Sequence, residues 1–138
     1  MKRILIILVF VLGLSVVSHA QTLRNTSNSV LATVDNNGVF RTPGNSYILR
    51  IYSSGDIRDK NNHFLGKIES DGTVRDGNNS FLGKIESDGT VRGRNNSTLG
   101  KVDSNGTVRN NNNHTLGYAQ GVPIRYAALF FFFEFLFQ

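Results

Sequence analysis

Arginine recurs in one column of this chain: Arg24, Arg41, Arg58, Arg75, Arg92 and Arg109 stand 17 residues apart, and Arg125 follows one residue early. Lys67, Lys84 and Lys101, together with Arg50, form a second column at the same interval. Cations repeated at a fixed pitch can bind an anion or an acidic glycan cooperatively. Arg58, Arg75, Arg92 and Arg109 are the candidates for such a surface. Glu69, Glu86 and Asp103 are interleaved with them, and exposed opposite charges in that arrangement interact by only about 0.2–1 kcal/mol per pair. The sequence favours a solvated outer face over a dedicated binding crown.

Other chemistries are weaker still. Asp71-Gly72, Asp88-Gly89 and the asparagine runs contain the residue types of calcium loops. They lack the alternating acids with a distal Glu, and the Gly-Gly-x-Gly-x-Asp nonapeptide, that such loops require. Turn formation explains them better. His63 and His114 occupy equivalent slots without cysteine or matching carboxylates around them, so neither a metal nor another cofactor is expected. The chain has no cysteine and no G-x-S-x-G elbow, against the common nucleophile architectures. A glycosidase could draw two carboxylates from different repeats. Repeat-equivalent acids share similar surroundings, whereas that chemistry needs environments that separate the two pKa values.

These columns are set by a repeat. Asp71 to Ser87 reads DGTVRDGNNSFLGKIES, and Asp88 begins DGTVRGRNNSTLGKVDS. Gly38, Gly55, Gly72, Gly89 and Gly106 keep the 17-residue spacing, which marks a repeat architecture. Each unit holds two short β-prone runs, such as Phe81 to Ile85 and Thr90 to Arg92, divided by Ser87-Asp88-Gly89. A two-residue loop would set Ile85 opposite Arg92. A three-residue loop with Gly89 as the left-handed bulge residue sets Ile85 opposite Val91, placing both apolar groups on one face, and is preferred. Lys84 then faces Arg92, with Glu86 diagonal to relieve the repulsion. Phe81, Gly83 and Ile85 are expected inside and Leu82 outside. Strict alternation fails at Leu82-Gly83, through a bulge at Gly83 or through Leu82 packing on the next unit.

The two ends frame the repeat. Met1-Lys2-Arg3, the apolar run Ile4 to Val17 and Ser18-His19-Ala20 read as an export-signal helix over residues 1–20, cleaved before Gln21. Residues 21–138 form one repeat domain, with no transmembrane span in the mature chain because the apolar run belongs to the signal. Removing Lys2 and Arg3 leaves 15 − 2 = 13 basic residues against 10 acidic ones, too mild an excess to indicate nucleic acid. Six of the ten phenylalanines lie in the tail from Phe130 to Phe137. Aromatic enrichment predicts a closing strand over residues 127–138, filling the centre of a ring with Thr22 to Asn25 nearby. A helical stack would also bury the units against one another, but it would leave this tail exposed.

The reiterated LGKIESDGTVRD-type unit, the export signal ending before Gln21 and the AALFFFFEF ending together resemble the bacterial five-fold β-flower protein family. The resemblance covers essentially the whole mature chain and implies an all-β fold of short hairpins arranged radially in a closed ring. The x-Gly turns, with a variant at Gly121 and partial units at both ends, allow five to seven petals. No activity transfers residue by residue. The expected function is that of an exported, non-enzymatic repeat protein with a structural or binding role at the cell envelope. It would act in the periplasm or outside the cell, on an envelope glycan or another envelope protein. A glycan-processing enzyme is the alternative.

Overall fold

In each repeat, β-prone runs of three to five residues alternate with turns that only a left-handed residue can close, so the chain folds as successive hairpins. A computed structural model describes residues 21–137; the expected export signal at residues 1–20 lies outside the described residues. The first six strands are β1 (Gln21–Arg24), β2 (Val30–Val34), β3 (Val39–Arg41), β4 (Tyr47–Ile51), β5 (Asp56–Asp59) and β6 (Phe64–Ile68). They continue as β7 (Thr73–Asp76), β8 (Phe81–Ile85), β9 (Thr90–Arg92), β10 (Thr98–Val102), β11 (Thr107–Asn110) and β12 (Thr115–Tyr118). Neighbours pair antiparallel in sequence order, and β1 pairs with β12 to close the ring. Among the described residues the twelve strands make six hairpins, within the expected five to seven.

The two ends of the ring use different turns. At one, Gly38, Gly55, Gly72, Gly89, Gly106 and Gly121 take φ between 81° and 96°. The expected register holds there: Ile85 lies opposite Val91 and Lys84 opposite Arg92. The Gly89 amide donates to the Glu86 carbonyl at 3.0 Å, and the Glu86 amide to the Thr90 carbonyl at 2.8 Å. A side chain at Gly89 would strike the Val102 carbonyl of the next hairpin, so the residue is required by close approach as well as by φ. At the other end Asn28, Asn45, Asn62, Asn79, Asn96 and Asn113 are left-handed, with φ between 64° and 74°. Asparagine tolerates that region better than other residues bearing a Cβ.

Every hairpin on the asparagine side carries a β-bulge. Between β7 and β8, Val74 faces Gly83 and Arg75 faces Phe81, leaving Leu82 as the extra residue. The same shift leaves Leu31, Ile48, Leu65, Leu99 and Leu116 as the extra residue in the other hairpins. The bulge turns two consecutive residues to one side. Leu82 is therefore only 8% exposed and Phe81 39% exposed, the reverse of the alternation expected from the sequence.

The interior is stacked in rings of repeat-equivalent side chains. One holds Leu23, Phe40, Ile57, Val74, Val91 and Val108; another holds Val34, Ile51, Ile68, Ile85, Val102 and Ala119, all buried. Inside them lies the C-terminal segment, and here the expectation of a strand over 127–138 is corrected. Ile124–Phe132 is an α-helix, α1, followed by a 3-10 turn, Glu134–Phe137. A strand inside a ring whose strands are already paired on both sides would leave its own amides and carbonyls without partners. A helix satisfies them internally. Pro123 precedes the first turn, where a missing amide costs nothing. Ala127, Ala128 and Leu129 are fully buried and fill the axis.

The phenylalanines account for three of the four central glycines. Ala32, Leu49, Gly66, Gly83, Gly100 and Gly117 occupy one repeat column. A Cβ added at Gly83 would stand 3.1 Å from the Phe133 ring, at Gly100 2.6 Å from Phe132, and at Gly117 2.8 Å from Phe131. Three consecutive aromatic residues thus reach three successive hairpins, each resting on bare backbone. On the opposite wall Ala32 and Leu49 fill the space with their own side chains. Phe130 packs with Phe40 and Phe137, whose ring centroids lie 6.3 and 5.1 Å away. Glu134 is exposed at the rim.

Candidate functional site

The arginine column stands on the outer wall, where Arg75 and Arg92 tie the two ends of their hairpins together. Arg92 donates from Nε to Glu86 at 3.0 Å, and from Nη1 to the Asn96 carbonyl and the Thr98 hydroxyl, each at 3.3 Å. Arg75 repeats this with Glu69 at 3.2 Å and the Asn79 carbonyl at 3.3 Å. Arg109 binds Asp103 at 3.1 Å and Thr115 at 3.2 Å. Arg58 reaches Asp56 at 3.5 Å and the Asn62 carbonyl at 3.1 Å, with its guanidinium over the Phe64 ring. All four candidate residues are engaged by their own hairpin. The carbonyl held by Arg58, Arg75 and Arg92 belongs to the left-handed asparagine, so these three secure the strained turns. Arg125 is not in the column: it sits on α1 and donates to the Ser70 carbonyl at 2.6 Å.

The aspartates are engaged in turns. Asp71 and Asp88 accept the Thr73 and Thr90 amides at 3.0 and 2.9 Å. Asp59 accepts the amides of Asn61 and His63, both at 2.9 Å. Backbone hydrogen bonds from His63, Thr73 and Thr90, respectively, hold Asp59, Asp71 and Asp88 below the usual carboxylate range. His63 Nδ1 lies 3.3 Å from Asp59, a contact within one turn. His114 is on the surface, where its amide donates to Asn110.

The repeat is broken at its seam. β1 meets β12 through one residue pair, Arg24 opposite Tyr118. An open groove of about 870 Å³ runs along this junction, lined by Thr22, Arg24, Asn28, Thr107, Tyr118 and Gln120 among others. Two columns change residue type here. Tyr118 stands where Lys67, Lys84 and Lys101 stand, and Gln120 stands where Glu69, Glu86 and Asp103 stand. These departures were legible in the sequence, but only closure of the ring brings residues 22–28 beside residues 105–120. A separate apolar surface on the asparagine side is lined by Leu31, Ile48, Leu116, Phe130, Phe131 and Phe137.

A family model described as 5-fold beta-flower protein matches residues 20–135. No curated protein and no solved structure matches the chain.

Proposed function

As the chain belongs to the 5-fold beta-flower protein family, we propose that it is an exported, non-enzymatic repeat module with a structural or binding role at the cell envelope. The observation that carries this is the engagement of its recurring ionisable groups. Arg58, Arg75 and Arg92 brace turns, Arg109 is held by Asp103 and Thr115, and the perturbed aspartates accept turn amides. Glycoside hydrolysis needs one carboxyl group with a raised pKa to act as the acid. The shifts at Asp59, Asp71 and Asp88 all run downward, toward permanent ionisation. That supports a scaffold over the glycan-processing alternative. Strands of three to five residues also fall well short of the roughly 9–11 a membrane-spanning strand needs. Among the described residues no helix is long and apolar enough to cross a membrane.

Export rests on the basic start, the apolar run and the Ser18-His19-Ala20 cleavage pattern. The test is fractionation of the producing cells, with the mass of the recovered protein, followed by incubation with envelope polysaccharides. The expected species begins at Gln21, in the periplasmic or extracellular fraction, and leaves the polysaccharides intact. Turnover abolished by a single carboxylate substitution would overturn the non-enzymatic role, and an intact Met1 in the cytoplasmic fraction would overturn export.

A further inference from the structure

We propose that the seam groove between β1 and β12 binds a carboxylate-bearing sugar, the uronic-acid unit of an acidic glycan. Arg24 takes the carboxylate and Tyr118 carries the sugar face. The inference rests on the binding role above and assigns it a site and a ligand class.

The argument begins with the acid that is missing. In three consecutive hairpins the column arginine is neutralised by the acid six residues before it: Glu69 for Arg75, Glu86 for Arg92 and Asp103 for Arg109. Ring closure gives Arg24 the corresponding neighbour from β12's end of the seam, and that residue is Gln120. A neutral amide stands where the repeat supplies a carboxylate. Among the described residues, no carboxylate lies within ion-pair distance of Arg24, and none lines the groove.

Arg24 is nonetheless held in position. Its Nε donates to the Thr22 hydroxyl at 3.2 Å and its Nη1 to the Asn28 carbonyl at 2.9 Å. A guanidinium has five N–H donors, so these two bonds leave both hydrogens of Nη2 and one of Nη1 for an incoming acceptor. A fixed, uncompensated guanidinium is suited to a carboxylate, which it meets with charge-assisted hydrogen bonds.

The second substitution points to the rest of the ligand. Where three other hairpins place Lys67, Lys84 and Lys101, the seam places Tyr118, 38% exposed and lining the groove. That change removes a cation and supplies a flat apolar face with a polar tip. Around it stand the hydroxyls of Thr22 and Thr107 and the amides of Asn28 and Gln120, which can both donate and accept. A sugar ring has that complementary pattern: an apolar face of C–H groups edged by hydroxyls. A volume of about 870 Å³ accommodates one or two such rings. Arg75, Arg92 and Arg109 are each ion-paired and offer no such uncompensated cation.

The test uses the purified protein and trigalacturonic acid, with its methyl ester as the uncharged control, in isothermal titration calorimetry. The trimer should bind and the ester should bind at least tenfold more weakly. Gln120→Glu restores the acid that the repeat places in this slot, so it should preserve folding and reduce binding tenfold or more. Tyr118→Ala should weaken binding of the acid by a similar factor, whereas Arg92→Gln should leave it unchanged. Absence of trimer binding, equal affinity for the ester, or undiminished affinity in folded Gln120→Glu would overturn the proposal. Binding lost with Arg92→Gln but kept in Gln120→Glu would move the ligand to the arginine column, overturning the seam site while leaving the binding role standing.

Discussion

Adding a single methyl group at Gly100 tests whether the aromatic tail packs on bare backbone. In Gly100→Ala the new Cβ stands 2.6 Å from Cζ of Phe132 and strikes the Arg109 carbonyl of the neighbouring strand. Both must shift, and overpacking of this kind costs about 1–3 kcal/mol. Phe132→Ala removes a half-buried ring, at a cost below the 3–5 kcal/mol typical of fully buried aromatics, about 2–3 kcal/mol. The double variant is decisive. With the ring gone, the Cβ keeps only its conflict with the carbonyl, so the combined cost should be smaller than the sum by about 0.5–1.5 kcal/mol. For a domain of this size, 1 kcal/mol moves the melting temperature by roughly 3–6 °C. Thermal and urea unfolding of the four proteins of the cycle would resolve that coupling. Additivity within about 0.3 kcal/mol would refute the contact between Phe132 and Gly100, and with it the account of why this column becomes glycine.

Removing the chain from Phe130 onward takes away Phe133 and Leu136, only 3% and 4% exposed, and should abolish cooperative thermal unfolding followed by circular dichroism. An unchanged melt would make the tail peripheral. Arg92→Met should lower stability by about 1 kcal/mol, read from the urea midpoint. Glu86→Gln should cost about half as much, because Arg92 keeps the Asn96 carbonyl. Hydrogen bonds from the Thr73 and Thr90 amides hold Asp71 and Asp88 below the ordinary carboxylate range in the folded state. Their stabilising contribution is therefore complete above the unfolded carboxylate pKa and is lost as pH falls through the lowered folded value. Asp88→Asn should flatten that acid limb in pH-dependent urea unfolding while keeping the turn, since Asn105 already accepts the Thr107 amide in the equivalent place.

The sequence alone carried the hairpins. A 17-residue period, Gly at each Ser-Asp-Gly turn and one consistent apolar face leave a single register in which Ile85 meets Val91, and the structure has it. The diagonal pairing of Glu86 with Arg92 follows from the same register. These are local interactions between residues a few positions apart, so local chemistry decides them. Three features depended on the assembled ring. The side taken by Phe81 and Leu82 hinged on which residue became the bulge's unpaired one, a choice set by the neighbouring strand. The phenylalanine tail has strand-like composition, yet a position inside a ring of already paired strands gives a strand no hydrogen-bonding partners and favours a helix. The seam groove joins residues about 80 to 100 positions apart in the chain. Tyr118 and Gln120 are visible in the sequence as breaks in two columns, but their approach to Arg24 exists only once β12 pairs with β1.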